Sequence, residues 1–333
     1  MPADAFRPRS ISELLDASIQ LFRAHYSELL VMSMIALLPQ AGASTFNLAV
    51  LVPRYGDRAT LYSLPIALIT LVWFVLADSA LLAAASDAYL GLGIDRRKAF
   101  RQALSKSGTI ILSAFLKYLL ISLGFMAVMI AATIVAGIVG ALVVGIAAAV
   151  GGGGLAGART PTSTVIVGIV VALLFAAATA WWMLVTFARL FAYRVAIVLE
   201  RLGASASLHR SSNLVRGSSG KVVLTFLLVY VIYGAAYALF GAVTYAASSS
   251  FVAAQSAIGV LAPFIYPIIP IVTTLLYYDL RIRKEGYDIE LMAGELESGR
   301  GMRDAGSGMR NSPEDEVHLP TSLAHPASRV PHP

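Results

Sequence analysis

The chain has 333 residues, 58% hydrophobic and only 13% charged, about half the charged share usual in a soluble domain. It contains no cysteine, which excludes disulfides, thiolate metal sites and a cysteine nucleophile. The net charge of +6 lies beside apolar stretches rather than in a basic patch with interleaved aromatics, which argues against nucleic-acid binding.

At the N-terminus, Arg7 and Arg9 would suit a leader, but the next apolar run starts near Leu29 and is long enough to stay in the membrane, so no cleavable signal is expected. Ser10-Ile-Ser-Glu13 reads as a capping box opening a helix. Ile11, Leu14, Leu15, Ile19 and Phe22 then recur at helical spacing opposite Glu13, Asp16, Gln20 and Arg23. This amphipathic segment, residues 1–26, is expected to lie along the membrane surface.

Residues 27–278 predict a transmembrane domain, since about 20 apolar residues suffice for one crossing. Span 1 covers 27–51 with Pro39 inside it, and Pro53–Thr60 is a short polar loop. Span 2 covers 61–90. The basic segment 91–108 follows, with Asp87 near its edge and expected to pair with Arg96 or Arg97. Span 3 starts near Thr109, and its apolar run continues to Val150, with Gly137, Gly140 and Gly145 as candidate bends. Gly137, Ala141 and Gly145 also have the spacing that allows close helix packing within or between chains. Residues 151–162 read as a flexible loop. Span 4 covers 163–188 and runs on through Leu190–Leu199, which contains Arg194. Span 5 covers 222–247. Span 6 covers 256–278 and contains Pro263, Pro267 and Pro270, each of which removes a backbone donor. Residues 279–333 form a C-terminal segment expected to be disordered beyond about 294.

Lys and Arg divide 21 to 3 between the two sides of these spans, with Lys117 inside one. That bias predicts both termini in the cytoplasm of a cell-membrane protein. It also disfavours cutting 109–150 into two spans. A threefold internal pattern is visible, each unit an amphipathic segment followed by two spans: Ser10 opens the first, Asp95 the second (closed by Gly108) and Ser205 the third (closed by Gly217). The expected fold class is therefore all-α: a polytopic membrane protein with six transmembrane helices and three amphipathic cytoplasmic interfacial helices.

Two intramembrane residues are candidates for chemistry. Asp78 lies about 12 residues, or about 18 Å, from the cytoplasmic end of span 2, and Lys117 about 9 residues, or about 13 Å, into span 3. An ionisable group at such depth is a functional hypothesis by default. The pair reads either as a proton or ion site, or as a structural ion pair or a protonated Asp78 hydrogen-bonded to a neighbouring helix. Trp181 and Trp182 read as packing or lipid-facing residues. The five histidines lack ligand spacing, and neither a metal site, a cofactor motif nor a catalytic constellation is present. On the cytoplasmic flank, Tyr277, Tyr278, Asp279, Arg281, Arg283 and Lys284, with Arg210 and Arg216, are candidates for lipid-phosphate contact or for a collar docked on the amphipathic segments.

Four stretches carry a resemblance: FRPRSISELLDASIQLFRAHYSELL at the N-terminus, Asp87-Ala-Tyr-Leu-Gly91, LHRSSNLVRG at 208–217 and LLYYDLRIRKEGYDIELMA at 275–293. Together they resemble the glycerophosphoryl diester phosphodiesterase membrane-domain family, over roughly residues 6–293. The resemblance implies a six-helix integral membrane domain. That family takes its name from members fused to a soluble phosphodiesterase; the soluble segments of this chain are short loops and a tail of about 40 residues, so the activity is not expected here. The expected function is non-catalytic: a scaffold or accessory subunit organising membrane lipids, a partner membrane protein or further copies of itself. The alternative is a transporter of a small solute or lipid using Asp78 and Lys117. An enzyme acting on lipid head groups would need acidic, His or Ser residues clustered at one interface, and none is evident.

Overall fold

A computed structural model describes residues 9–151 and 162–286. These residues are helical throughout, with no strand among them, and those up to Glu285 form one compact unit. The loop expected at 151–162 lies, apart from its ends, outside the described residues, as does the tail expected to be disordered.

The first helix, α1 (Ile11–Ala24), starts at the predicted capping box: Glu13 N–H donates to Ser10 Oγ (3.3 Å) and Ser10 N–H donates to Glu13 Oε2 (2.7 Å). Two backbone donors that the helix cannot satisfy are thereby paired. Leu14 and Ser18 on its inner face are fully buried. α2 (Tyr26–Phe46) leads through a π-helical turn (Asn47–Leu51), a short α3 (Val52–Tyr55) and a 3-10 turn to α4 (Ala59–Tyr89). The chain reverses at Gly56, whose φ of +52° favours a residue without a Cβ, and α4 packs back on α2. The segment read as a polar loop is thus mostly helical.

α5 (Arg96–Leu104) is capped by the Asp95 carboxylate, which accepts from Lys98 N–H (3.1 Å). Asp87 pairs with Lys98 (3.0 Å) rather than with Arg96 or Arg97. α5 stops at Leu104, not at Gly108, which lies inside the next helix. That helix, α6 (Ser107–Gly151), is continuous through Gly137, Gly140 and Gly145. At 1.5 Å per residue its 45 residues extend about 67 Å. α7 (Thr162–Arg189) packs along it. They meet tightly at Gly124, where a Cβ would lie 2.1 Å from the Trp182 ring. Gly124→Ala is therefore expected to cost about 1–3 kcal/mol through overpacking, read as a lower unfolding temperature in detergent; an unchanged temperature would show that the indole can move aside. Beyond this contact the hairpin is sparsely covered, and the most apolar stretches of α6 and α7 bury no residue within the chain.

After a turn at 190–192 come α8 (Tyr193–Glu200) and α9 (Ala204–Val215). The N-cap of α9 is Gly203 rather than Ser205, and Gly217 after it has φ +84°. α10 (Ser219–Ser248) is followed by α11 (Phe251–Ile265) and α12 (Ile268–Glu285). Of the three prolines expected to break span 6, only Pro267 falls at the break; Pro263 and Pro270 lie within helices.

At two of the prolines, a side chain of a neighbouring helix supplies a donor to the carbonyl that the proline leaves without its helical one. Pro39 leaves Ile35 O free, and Trp73 Nε1–H donates to it (2.8 Å). Pro267 leaves Pro263 O free, and the Ser33 hydroxyl donates to it (2.5 Å). In an apolar solvent an unpaired carbonyl is expensive, so these contacts make the prolines tolerable.

The core gathers toward one end of the helices. It includes the small-residue run Ala77–Ser86 of α4 and most of α8 and α12. Alanine and serine let α4 approach its neighbours closely. Toward the other end, Leu61–Trp73 of α4 and the outer faces of α6, α7 and α10 carry exposed apolar side chains. Five helical stretches among the described residues are long and apolar enough to cross a membrane: Tyr26–Tyr89, Ser107–Leu142, Gly168–Glu200, Ser219–Ser248 and Phe251–Glu285.

Candidate functional site: a buried ion pair and a flank network

Asp78 lies in the close-packed run of α4 and its side chain is 3% exposed. Its carboxylate is not paired with Lys117. Arg194, the second residue of α8, forms an ion pair with Oδ2, and the Tyr266 hydroxyl donates to Oδ1 (2.7 Å). The chain turns sharply to deliver each partner. α7 ends at Arg189, and Ser211 of α9 holds the turn after it by donating to Arg189 O (2.8 Å) and accepting from Ala192 N–H (3.1 Å). Arg194 is thereby directed inward. Tyr266 occupies the break between α11 and α12 that Pro267 creates, so its ring faces Phe74 of α4 (centroids 5.7 Å apart). Arg194 Nε is buried without a hydrogen-bond partner.

Lys117 joins the same cluster by another route. Its ammonium lies 5.1 Å from the Tyr193 ring centroid, 5.8 Å from Phe187 and 5.9 Å from Tyr118. Ring faces attract a cation, more so where water is excluded. Asp78 and Lys117 thus adjoin the consecutive residues Arg194 and Tyr193 without touching each other. The centre holds two cations and one carboxylate.

The residues flagged on the flank form two networks, and the carboxylates that organise them are Glu200, Glu285 and Asp279. Glu200 at the end of α8 accepts from Arg210 twice (2.8 Å each) and from the Tyr277 hydroxyl, with Arg281 3.6 Å away. Arg210 also pairs with Glu285, as does Arg281 (3.2 Å). Hydrogen bonds to Glu200 and Glu285 hold the Arg210 guanidinium above even its usual high range. Asp279, 3% exposed, accepts from Arg9 N–H (2.7 Å), Lys221 and Arg283 (3.0 Å). Lys221 and Arg283 also donate to Arg9 O (2.6 and 2.7 Å), which fastens the start of the described chain to α10 and α12. Lys284 caps the end of α9 by donating to the carbonyls of Asn213 and Arg216, where the negative end of the helix dipole favours a cation. Tyr278 is buried, stacked on Tyr89 (5.2 Å) and hydrogen-bonded to Ser86 (2.8 Å).

The flank residues are therefore brought together, but toward the chain's own carboxylates: Arg210, Arg281 and Arg283 all pair within the protein. Arg216 contributes its carbonyl oxygen. Sequence reasoning missed Arg194, Tyr266, Glu200 and Lys221. One signal for Arg194 was available, because a cation inside the apolar run Leu190–Leu199 needs a carboxylate and Asp78 is the deepest one in the chain. Among the described residues no group of three His, Asp or Glu side chains could hold a metal.

No family model, curated protein or solved structure is significantly similar to this chain.

Proposed function

We propose that this chain is a non-catalytic integral membrane protein that acts as a scaffold or accessory subunit, organising lipid or a partner membrane protein. The observation that carries the reading is the state of Asp78: sealed in a close-packed run, neutralised by Arg194 and hydrogen-bonded to Tyr266. A carboxylate held in that way joins α4, α8 and the α11–α12 break as a structural pair. The sparsely covered α6–α7 hairpin supplies apolar surface for lipid or a partner.

The reading extends to topology. The stretch Tyr26–Tyr89, reversed at Gly56, counts as two crossings, which makes six. α1, α5 and α9 precede three successive pairs of long helices, in keeping with a threefold repeat of one amphipathic interfacial helix plus two spans. Moving Arg194 from the flank to the Asp78 pair leaves the cation bias strong, and both termini are assigned to the cytoplasmic side of the cell membrane. Membership of the glycerophosphoryl diester phosphodiesterase membrane-domain family is part of the same proposal and rests on the four stretches quoted above.

The test is native mass spectrometry of the protein extracted with its surrounding membrane in polymer nanodiscs. A reproducible protein partner or a defined homo-oligomer is the expected result. A monomer carrying one stoichiometric solute would instead support the transporter reading, in which the Tyr266–Pro267 break and Asp78 form the site.

A further inference from the structure

Where α9 crosses the foot of the α6–α7 hairpin there is a cleft of about 440 Å³. Leu120 and Leu123 of α6 and Trp182 of α7 line its apolar part; Thr186, Arg189 and Ser212 line its polar part. Gly124, also in the lining, leaves the space that the Trp182 indole occupies against α6. Three observations distinguish the cleft. First, Arg189 makes no ion pair among the described residues, whereas Arg194, Arg210, Arg281 and Arg283 are all engaged with carboxylates. Second, Thr186 and Ser212, each with a hydroxyl donor, share the lining of the cleft with Arg189. Third, its apolar side continues into exposed surface, with Leu120 49% and Leu123 48% exposed. The exposed apolar face of α6 begins at Ile111, so Leu120 is nine residues, about 14 Å, along it. Arg189 ends α7, where its long side chain can reach toward the boundary of the apolar belt.

We propose that this cleft binds one anionic phospholipid of the surrounding leaflet, its phosphate held by Arg189 with Ser212 and Thr186, and an acyl chain lying on Leu120, Leu123 and Trp182. A guanidinium presents paired donors that match phosphate oxygens. Lys117, one turn from Leu120 and without a carboxylate partner, adds positive potential to the same region. A zwitterionic lipid has the acyl chain but not the net charge, so charge decides the choice of occupant. The inference deepens the lipid-organising side of the proposed function and rests on α6 and α7 being membrane helices.

The test uses the purified full-length chain in detergent, titrated with phosphatidylglycerol or phosphatidylcholine of identical acyl chains and read by native mass spectrometry. The wild type is expected to retain phosphatidylglycerol about fivefold better, the size expected for one basic residue acting on an anionic lipid. Arg189→Gln is expected to abolish that preference. Arg97→Gln, which removes an exposed cation on α5, is expected to leave it intact. Ser212→Leu fills the cleft without changing charge and is expected to reduce retention of both lipids, which keeps the test decisive should Arg189→Gln fail to fold. Wild-type preference persisting in Arg189→Gln, undiminished retention of both lipids in Ser212→Leu, or equal loss in Arg97→Gln, would overturn the site in favour of diffuse surface charge. A partner-protein carboxylate as the true occupant would show as lipid ratios unchanged in Arg189→Gln, with loss of the partner when the same variant is extracted in nanodiscs, which also overturns it. Because the lipid assay contains no partner, its outcome is independent of whether the scaffold reading survives.

Discussion

Asp78→Asn is expected to destabilise the protein by about 3–5 kcal/mol, because it leaves the Arg194 guanidinium buried without its counter-charge. The amide can still accept from Tyr266, so the loss isolates the charge term. Arg194→Gln is expected to be similarly harmful, since it strands the Asp78 carboxylate in a site 3% exposed. The double variant should recover much of the loss, because two neutral amides can hydrogen-bond where one orphaned charge cannot. Thermal unfolding of the four proteins in one detergent gives the cycle. Additive losses would mean that Asp78 and Arg194 act independently, and a stable Asp78→Asn protein lacking a biological activity would move the reading to transport.

The second large effect is expected at Asp279. Its carboxylate accepts from the Arg9 backbone, Lys221 and Arg283, joining the segment before α1 to α10 and α12. Asp279→Ala is expected to cost about 2–3 kcal/mol, less than Asp78→Asn because Arg283 is 38% exposed and is rehydrated readily. The loss should be local as well as global. Limited proteolysis should cut ahead of α1 faster in the variant than in the wild type, while the helical signal stays the same. Uniform proteolytic sensitivity would mean that Asp279 supports the whole bundle rather than the N-terminal fastening.

Helix existence was readable wherever apolar length or a cap announced it. Ser10 and Glu13 predict the start of α1, and the apolar run from Thr109, which left a bend at its glycines open, forms one continuous α6 that Gly137, Gly140 and Gly145 do not interrupt. Breaks were harder to read. Three prolines stand in span 6, yet the helix parts only at Pro267, and the Pro263 carbonyl freed there is taken up by Ser33 of α2. Whether a neighbouring helix brings such a donor is not a local property.

The same division separates the candidate residues from their roles. Hydropathy identifies Asp78 and Lys117 as costly, and the family-like motif at 275–293 marks the flank tyrosines and arginines. Neither pattern says who pairs with whom. Lys117 follows Asp78 in the next span and is its obvious partner on paper, but a turn at Leu190–Ala192 delivers Arg194 instead and leaves Lys117 among aromatic rings. Glu200 was unremarkable at the edge of a polar stretch until α9 and α12 brought Arg210, Tyr277 and Arg281 to it.

What the sequence determined by itself is the solvent: long apolar runs in a chain 58% hydrophobic require helices, because in a bilayer each backbone group must find its partner within the segment. What only the tertiary structure decided is the pairing of charges. Apolar burial is non-directional and leaves its period in the sequence, whereas an ion pair depends on ångström-scale approach between segments far apart in the chain. Asp78 and Arg194 stand in different helices, and only the packing of α4 against α8 brings them together.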